Sequence, residues 1–341
     1  MNVTIVDIAR KAGVSPSTVS RVLSGHPKIS AATARKVKEI MEAMDYHPNV
    51  MAKSLVSKVT RTIGIVLPRP AEELFLNLFF SEVIRGVVTQ ATRSGYDLML
   101  TTGSTEREEV DAVNRLVRGR RVDGLILLYS REGDPVIKLL KENNFPFVLI
   151  GRSEEHSDIL TVDNNNVQAA YDVTRHFIAQ GHTRIGFVSG PPDLTVSKDR
   201  LAGYRNALAE AGIAARPDWI VEGDFLQESG YRAMSFIMNV PDRPSAIVVM
   251  DDVVALGVLG GVTELGFKVP QDLALAGFNN IPMSELTSPP ISSVDIGIYQ
   301  LGYTASQTLL RAVKGEPVHQ QRMLIPHRFI ARESSIFKPP S

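Results

Sequence analysis

Apolar positions along the chain follow two rhythms, and the change falls near residue 62. Before it, Ile5, Ile8, Ala9 and Ala12 recur at the spacing of one helical face. Gly13 breaks that face. Ser15 reads as an N-cap with Pro16 in the first helical position, and Val19, Val22 and Leu23 then point inward. Gly25 and Pro27 end this second helix. Ser30 opens a third, whose Val37, Ile40, Met41 and Met44 keep i, i+3, i+4, i+7 spacing. The pattern predicts three short helices over residues 4–44, with a tight glycine turn in the middle.

From Thr62 the texture becomes apolar strands alternating with amphipathic helices. Strands are predicted over 62–67, 96–101, 123–128, 146–150, 184–189, 219–223, 245–250 and 273–278. Helices fall between them, such as 164–180 before Gly181 and 197–211 before Gly212. Asp134-Pro135 opens another. Such alternation means parallel sheets covered by helices on both faces. The pattern also repeats. "TRTIGIVLP" at 60 is echoed by "HTRIGFVSGP" at 182, and 60 residues separate both Gly64 from Gly124 and Gly186 from Ala246. Two similar lobes in tandem imply a cleft between them, at the carboxyl ends of the strands. The tail, "SSVDIGIYQLGYTASQTLLRAVKG" then "RMLIPHRFIARES", reads as a strand end, a helix and one more strand. It completes the two lobes instead of starting a third, joining them by several crossings suited to hinge motion.

Composition adds one asymmetry. The 341 residues carry no net charge, yet residues 1–62 hold ten basic against four acidic side chains, and the rest hold 27 against 33. A basic head on an acidic body points to a polyanion partner for the head alone. The absence of cysteine excludes disulfides and thiolate chemistry. No apolar run is long enough for a membrane span and no signal peptide is visible, so a cytoplasmic, nucleoid-associated protein is expected.

The chemistry-bearing motif is "TIVDIARKAGVSPSTVSRVL", residues 4–23. A helix, a glycine turn and a second helix at this spacing form the helix-turn-helix plan. Ser17, Ser20 and Arg21 face outward near the start of the second helix. Arg21 suits the paired acceptors of guanine, while Ser15 and Thr18 suit phosphate beside a helix N-terminus. Enzyme signatures are missing: no GxxxxGK[ST], GxSxG or strand-following GxGxxG occurs, and the seven histidines form no HxH or HxxxH pair. No catalytic residue, cofactor or metal site is therefore expected. Asp251-Asp252, at a strand end opening a helix, reads as cap and ligand contact.

These residues carry a resemblance over nearly the whole chain. "VDIARKAGVSPSTVSRVLSG", "YHPNVMAKSL", "DRLAGYRNAL", "GDFLQESGYRAM" and "DDVVALGVLGGVTELGFKVPQDLALAGFNN" resemble the lactose-repressor/galactose-repressor (LacI/GalR) family of bacterial transcription regulators. "GRRVDGLILLYSR", "NFPFVLIGR" and "SPPISSVDIGIYQLGYTA" resemble its Gram-positive maltose-operon regulators in particular. The fold implied is α plus α/β: a helix-turn-helix headpiece and hinge helix, then a two-lobed core like periplasmic sugar-binding proteins, built on two doubly wound parallel sheets. The implied divisions are a headpiece at 1–47, a hinge at 48–61 and a core at 62–341. Its N-lobe is expected at about 62–162 and 291–321, and its C-lobe at about 163–290 and 322–338.

The resemblance also implies sites. The base-reading pair falls on Pro16 and Ser17, and Arg21 is the base-contacting arginine; Thr4, Ser15, Thr18 and Ser20 complete the headpiece candidates. Proline has no side-chain donor, a departure that bears on the operator read. In the hinge, Asn49, Ala52 and Leu55 match the family positions, with Lys53 beside them for phosphate. Leu55 would wedge into the minor groove at a central CG step of a palindrome. So short a helix is marginal alone and would fold only on DNA against a second copy. Effector positions fall on Phe79 or Phe80, Asp163, Arg200, Phe225, Asp251, Asn279 and Asp295: aromatic faces for a sugar ring, and paired polar groups for hydroxyls. Phe79, Phe80 and Phe225 read equally well as simple core.

The expected protein is a homodimeric DNA-binding repressor of sugar-utilisation genes, released from a palindromic operator by an inducing sugar such as maltose. No long apolar heptad follows "RFIARESSIFKPPS", which favours a dimer over a tetramer. Control by a corepressor or phosphoprotein, or service as a sugar-transport component, are the alternatives. Trp219 is expected near the cleft.

Overall fold

A computed structural model describes residues 3–23, 26–46, 59–67 and 76–336. The chain divides into a small unit ending at Thr60 and a large one beginning at Arg61. The predicted hinge residues Asn49, Ala52, Lys53 and Leu55 lie outside the described residues.

The small unit holds α1 (Ile5–Ala12), α2 (Pro16–Leu23) and α3 (Ala31–Ala43). Thr4 and Asp7 cap α1 reciprocally, so the first free amides find acceptors. Gly13 closes α1 in the left-handed region at φ 67°, where glycine has no Cβ to clash. Ser30 Oγ accepts from Thr33 N–H at 3.2 Å to start α3. Ile8, Ala9, Ala12, Val19, Val22 and Val37 form the core of this unit. Ile40, Met41 and Met44, expected inside, are only partly buried against it.

The large unit begins with β1 (Thr62–Val66), α4 (Leu78–Arg93), β2 (Asp97–Thr101), α5 (Glu106–Arg118) and β3 (Gly124–Leu127). Then come α6 (Pro135–Glu142), β4 (Phe147–Ile150) and β5 (Leu160–Asp163). The chain crosses into a second lobe with α7 (Asn166–Ala179), β6 (Ile185–Ser189), α8 (Thr195–Glu210), β7 (Ile220–Glu222) and α9 (Gln227–Ile237). This lobe continues through β8 (Ala246–Val249), α10 (Asp252–Glu264), β9 (Ala274–Phe278), α11 (Pro282–Leu286) and β10 (Ser292–Asp295). A second crossing returns α12 (Ile298–Val313) and β11 (Arg322–Leu324) to the first lobe, and a third delivers β12 (Arg328–Ile330) to the second.

Each lobe is one six-stranded sheet, in the orders β11-β5-β4-β3-β1-β2 and β12-β10-β9-β8-β6-β7. Every pairing is parallel except β10 with β12. The eight predicted strands are all present. β5 is an addition: "LTVD" is too short, with only two apolar residues, to show in the pattern.

Two boundaries differ from expectation. β10 pairs with β9 at Ser292↔Ala276, so residues 292–295 belong to the second lobe and the crossing lies after Asp295, not at 291. The single strand expected from "RMLIPHRFIARES" is two strands in different sheets. Pro326 has no N–H for a ladder, so pairing stops there, and the second lobe resumes at β12 instead of at 322. One side chain pins all three crossings together. Asn164 Nδ2 donates to the carbonyls of Ile296 at 2.8 Å and Ile325 at 2.9 Å, one on each of the other two connections.

Helices sheathing the second sheet touch backbone to backbone. A Cβ added to Gly230 of α9 would stand 2.0 Å from Val254 O, and one on Gly257 of α10 would stand 1.8 Å from Gln227 O. Alanine ordinarily gains about 1 kcal/mol over glycine inside a helix. Here the clash with a fixed carbonyl outweighs that gain. Gly257→Ala is expected to lower stability by about 1–3 kcal/mol in urea unfolding; an unchanged midpoint would show that α9 and α10 can move apart freely.

Candidate functional site

The headpiece presents one polar face. Ser15, Pro16, Ser17 and Arg21 are exposed, Thr18 and Ser20 are half-buried, and Val19 and Val22 turn into the core. Ser15 Oγ accepts from Thr18 N–H at 3.2 Å and shares hydrogen bonds of 2.9 Å with Ser17 Oγ and Thr18 Oγ1. The start of α2 is thus a cluster of hydroxyls at a helix N-terminus, the chemistry that receives a phosphate. Thr4 is exposed too, but its hydroxyl donates to Asp7 Oδ2 at 2.6 Å. Hydrogen bonds from Thr4 hold the Asp7 carboxyl below its ordinary value.

In the large unit a cavity of about 270 Å³ lies between the lobes, at the carboxyl ends of both sheets. Of the predicted effector residues, Phe79, Phe80, Asp163, Arg200, Phe225, Asp251 and Asn279 all line it. Phe79 and Phe80 open α4 and meet edge to face, with ring centroids 5.1 Å apart. Both contribute, where the sequence left a choice of one.

Arg200 of α8 is the most constrained member. It is 4% exposed. Its Nε donates to Asn166 Oδ1 at 3.0 Å, Nη1 donates to the carbonyl of Met250, and the guanidinium lies 4.1 Å from the centre of the Phe278 ring. Burial pulls its pKa down to about 10, against the attraction of Asp251 and Asp163, so it stays protonated at neutral pH. Among the described residues Nη2 has no acceptor, which leaves one strong donor for a ligand.

Asp251 caps α10 through Val253 N–H at 2.7 Å. Its other oxygen accepts from Asn279 Nδ2 at 2.7 Å and from Asn77 Nδ2 of the opposite lobe at 3.1 Å. Asp163 accepts from Arg322 at 3.0 Å and from Asn166 Nδ2 at 3.1 Å. Burial pushes the Asp163 and Asp251 carboxyls up. Neighbouring Asp252 points away from the cavity. It accepts from Ser293 Oγ at 2.7 Å and Ile281 N–H at 3.0 Å, and complete burial with Asp251 beside it raises its carboxyl well above the usual range.

Two expectations fail. Asp295 does not line the cavity; its Oδ1 accepts from Gly297 N–H at 2.9 Å and shapes the second crossing. Trp219 precedes β7 and so stands at the amino end of its sheet, opposite the cleft. It is buried, with Nε1–H donating to Asp242 O at 2.9 Å.

The sequence reading missed the groups that join the lobes. Arg152, after β4, donates from Nε to Asp199 of α8 at 2.8 Å, and the Asp199 carboxylate holds its guanidinium well above the ordinary value. Ser130 Oγ meets Thr195 Oγ1 at 3.0 Å, Arg131 approaches Asp193 at 3.7 Å, and Lys198 pairs with Glu132. Ser130, Arg131 and Arg152 were within reach, because they are the polar residues next after two predicted strands. Asn77 and Asp199 gave no local signal. Among the described residues no group of acids and histidines could hold a metal, and no helix is long and apolar enough to cross a membrane.

A helix-turn-helix unit ahead of a two-lobed, ligand-sized cleft defines a class: regulators that bind DNA and answer to a small molecule. Comparison with known proteins makes the class specific. Residues 4–49 match the family model for bacterial regulatory proteins of the lacI family, and residues 174–335 match a periplasmic binding protein-like domain. The HTH-type transcriptional regulator MalR of Streptococcus pneumoniae is 38% identical over 97% of this chain and 100% of that protein. Among solved structures, the transcriptional regulator CelR–cellobiose complex is 30% identical, with TM-score 0.77 over 98% of this chain and 100% of that one. The lac repressor dimer bound to operator and the anti-inducer ONPF superposes with TM-score 0.87 at 27% identity, covering 99% and 100%. The chain belongs to the LacI family of transcription regulators.

The buried Asp252 gives a pH test. Its folded-state pKa lies above the unfolded value of 3.8, so its contribution is fully favourable below that value and is lost as pH rises through the folded pKa. Asp252→Asn keeps an acceptor for Ile281 and a partner for Ser293 without the charge. The variant is expected to gain stability relative to the parent as pH rises from 3.5 to 7.5, read from urea midpoints. A difference that is flat with pH would refute a raised Asp252.

Proposed function

We propose that this DNA-binding regulator represses sugar-utilisation genes and is released by a neutral sugar in the interlobe cleft, with maltose or a short malto-oligosaccharide as the inducer. One observation carries the reading. Arg200, buried yet protonated and with N–H groups that have no acceptor among the described residues, lines a cavity walled by Phe79, Phe80 and Phe225. Aromatic faces with paired acids and amides suit a polyhydroxylated ring. The lining holds five carboxylates, at Asp163, Asp193, Asp199, Asp224 and Asp251, against three guanidiniums, at Arg131, Arg152 and Arg200. That balance disfavours a phosphorylated ligand. Similarity to a MalR regulator supports the maltose assignment.

In the proposed mechanism two copies pair and set their headpieces into successive major grooves of a palindrome, inside the cytoplasm. Segment 49–55 forms a helix on the DNA, with Leu55 in the minor groove at a central CG step. Ligand favours one arrangement of the lobes and so lowers DNA affinity. For a strong switch it must prefer that arrangement by several kcal/mol.

Operator affinity, measured while maltose, maltotriose, other sugars and purines are titrated, tests the effector. Maltose is expected to weaken operator binding; an unchanged affinity removes the maltose assignment, and tighter binding with a purine would make the protein corepressed. Calorimetry suits the direct measurement, since Trp219 stands away from the cleft. Arg200→Ala is expected to bind operator normally and lose its response to ligand, and a normal response would remove Arg200 from the site. Leu55→Ala is expected to weaken binding to the palindrome far more than to unrelated DNA; equal losses would make the segment a plain linker.

A further inference from the structure

The acidic core has one strongly basic end. Parallel strands place the N-terminal ends of β3, β1 and β2 together, with the C-terminal ends of α4 and α5 beside them. Six arginines collect there: Arg61, Arg93, Arg115, Arg118, Arg120 and Arg121, all exposed. Asp97 and Asp123 are the acids of this end. Their backbones are tied into it, Asp97 N–H donating to Arg61 O at 2.8 Å and Asp123 N–H to Thr62 O at 2.7 Å. Asp123 also accepts from the Arg61 amide at 2.8 Å. Among the described residues none of the six arginine side chains sits in an ion pair.

Local structure explains only part of this. Cations in the last turn of a helix offset its dipole, which accounts for Arg93, Arg115 and Arg118. Arg120 and Arg121 lie beyond the end of α5, and Arg120 adopts a left-handed φ of 47° that costs conformational energy. Arg61 is the first residue of the core. The chain leading into it cannot neutralise the cluster, because residues 46–71 contain no aspartate or glutamate. The basic end is therefore the end at which the chain from the headpiece enters the core. Residues 63–341 as a whole carry six more acids than bases, so other faces repel a polyanion.

We infer that this arginine end of the first lobe is a second DNA-contacting surface. It grips phosphates of the duplex beside the headpiece without reading sequence. Guanidiniums suit phosphate oxygens, and exposed, unpaired ones give up little on binding. The surface adds affinity and salt dependence, not specificity.

The experiment uses the full chain. Binding to a palindrome selected on the parent protein, and to a scrambled duplex of equal length, is measured against salt concentration. Replacing Arg118, Arg120 and Arg121 together by glutamine is expected to reduce the slope of log affinity against log salt by about two to three for each copy of the chain bound, near 0.9 per lost phosphate contact. Affinity should fall about 10-fold or more on both duplexes at low salt, leaving their ratio unchanged. Lysine at the same three positions should keep the parent slope. Single Arg120→Gln and Arg121→Gln variants, in an exposed loop, should each lower the slope by about one for each copy bound. They decide the matter should the triple variant not fold. An unchanged slope in folded variants overturns the inference, as does a loss confined to the palindrome.

Discussion

A guanidinium buried between two lobes sets the terms for everything around it. An ion removed from water costs several kcal/mol unless its charge and its donors are met. Arg200 meets that demand with one amide, one carbonyl, one aromatic face and the field of two carboxylates. Each partner arrives at the carboxyl end of a different strand or the start of a different helix. Asn166 opens α7, Met250 follows β8, and Phe278 ends β9. Those carboxylates in turn need Asn77, Asn279, Asn166 and Arg322. Among the described residues the Arg200 N–H groups not used in these bonds are where a ligand can act.

Contacts between the lobes divide into two kinds. Arg152 with Asp199, and Arg131 with Asp193, join the lobes by charge at the cavity wall. Asn77 with Asp251 and Ser130 with Thr195 join them by neutral donors. Asn77, Asp251, Ser130, Thr195 and Asp199 are buried, so water screens these pairs little and they fix the relative register of the lobes.

Much of this was legible in the sequence because strand–helix alternation is a local pattern with a fixed period. Eight strands, the glycine turn at Gly13, the serine caps and the paired lobes all follow from spacing. Seven of the eight effector positions implied by the family resemblance line the cavity. Trp219 precedes its strand and so stands at the end away from the cleft, whereas Asp295 ends β10 but is engaged by the Gly297 amide. The split at Pro326 depends on which sheet accepts an edge strand: β11 pairs with β5 across more than a hundred residues, while β12 pairs with β10 in the other sheet. Asp199 pairs with Arg152 for the same non-local reason.

The side-chain amide of Asn164 gives the crossings a mechanical meaning. Three separate strands between two bodies would permit sliding as well as bending. Bonded at one amide, they behave as a single axle. Rotation about it remains soft while translation across it is stiff. A small change of angle set by a ligand in the mouth is then magnified with distance from the pin, as in a lever whose fulcrum is one asparagine.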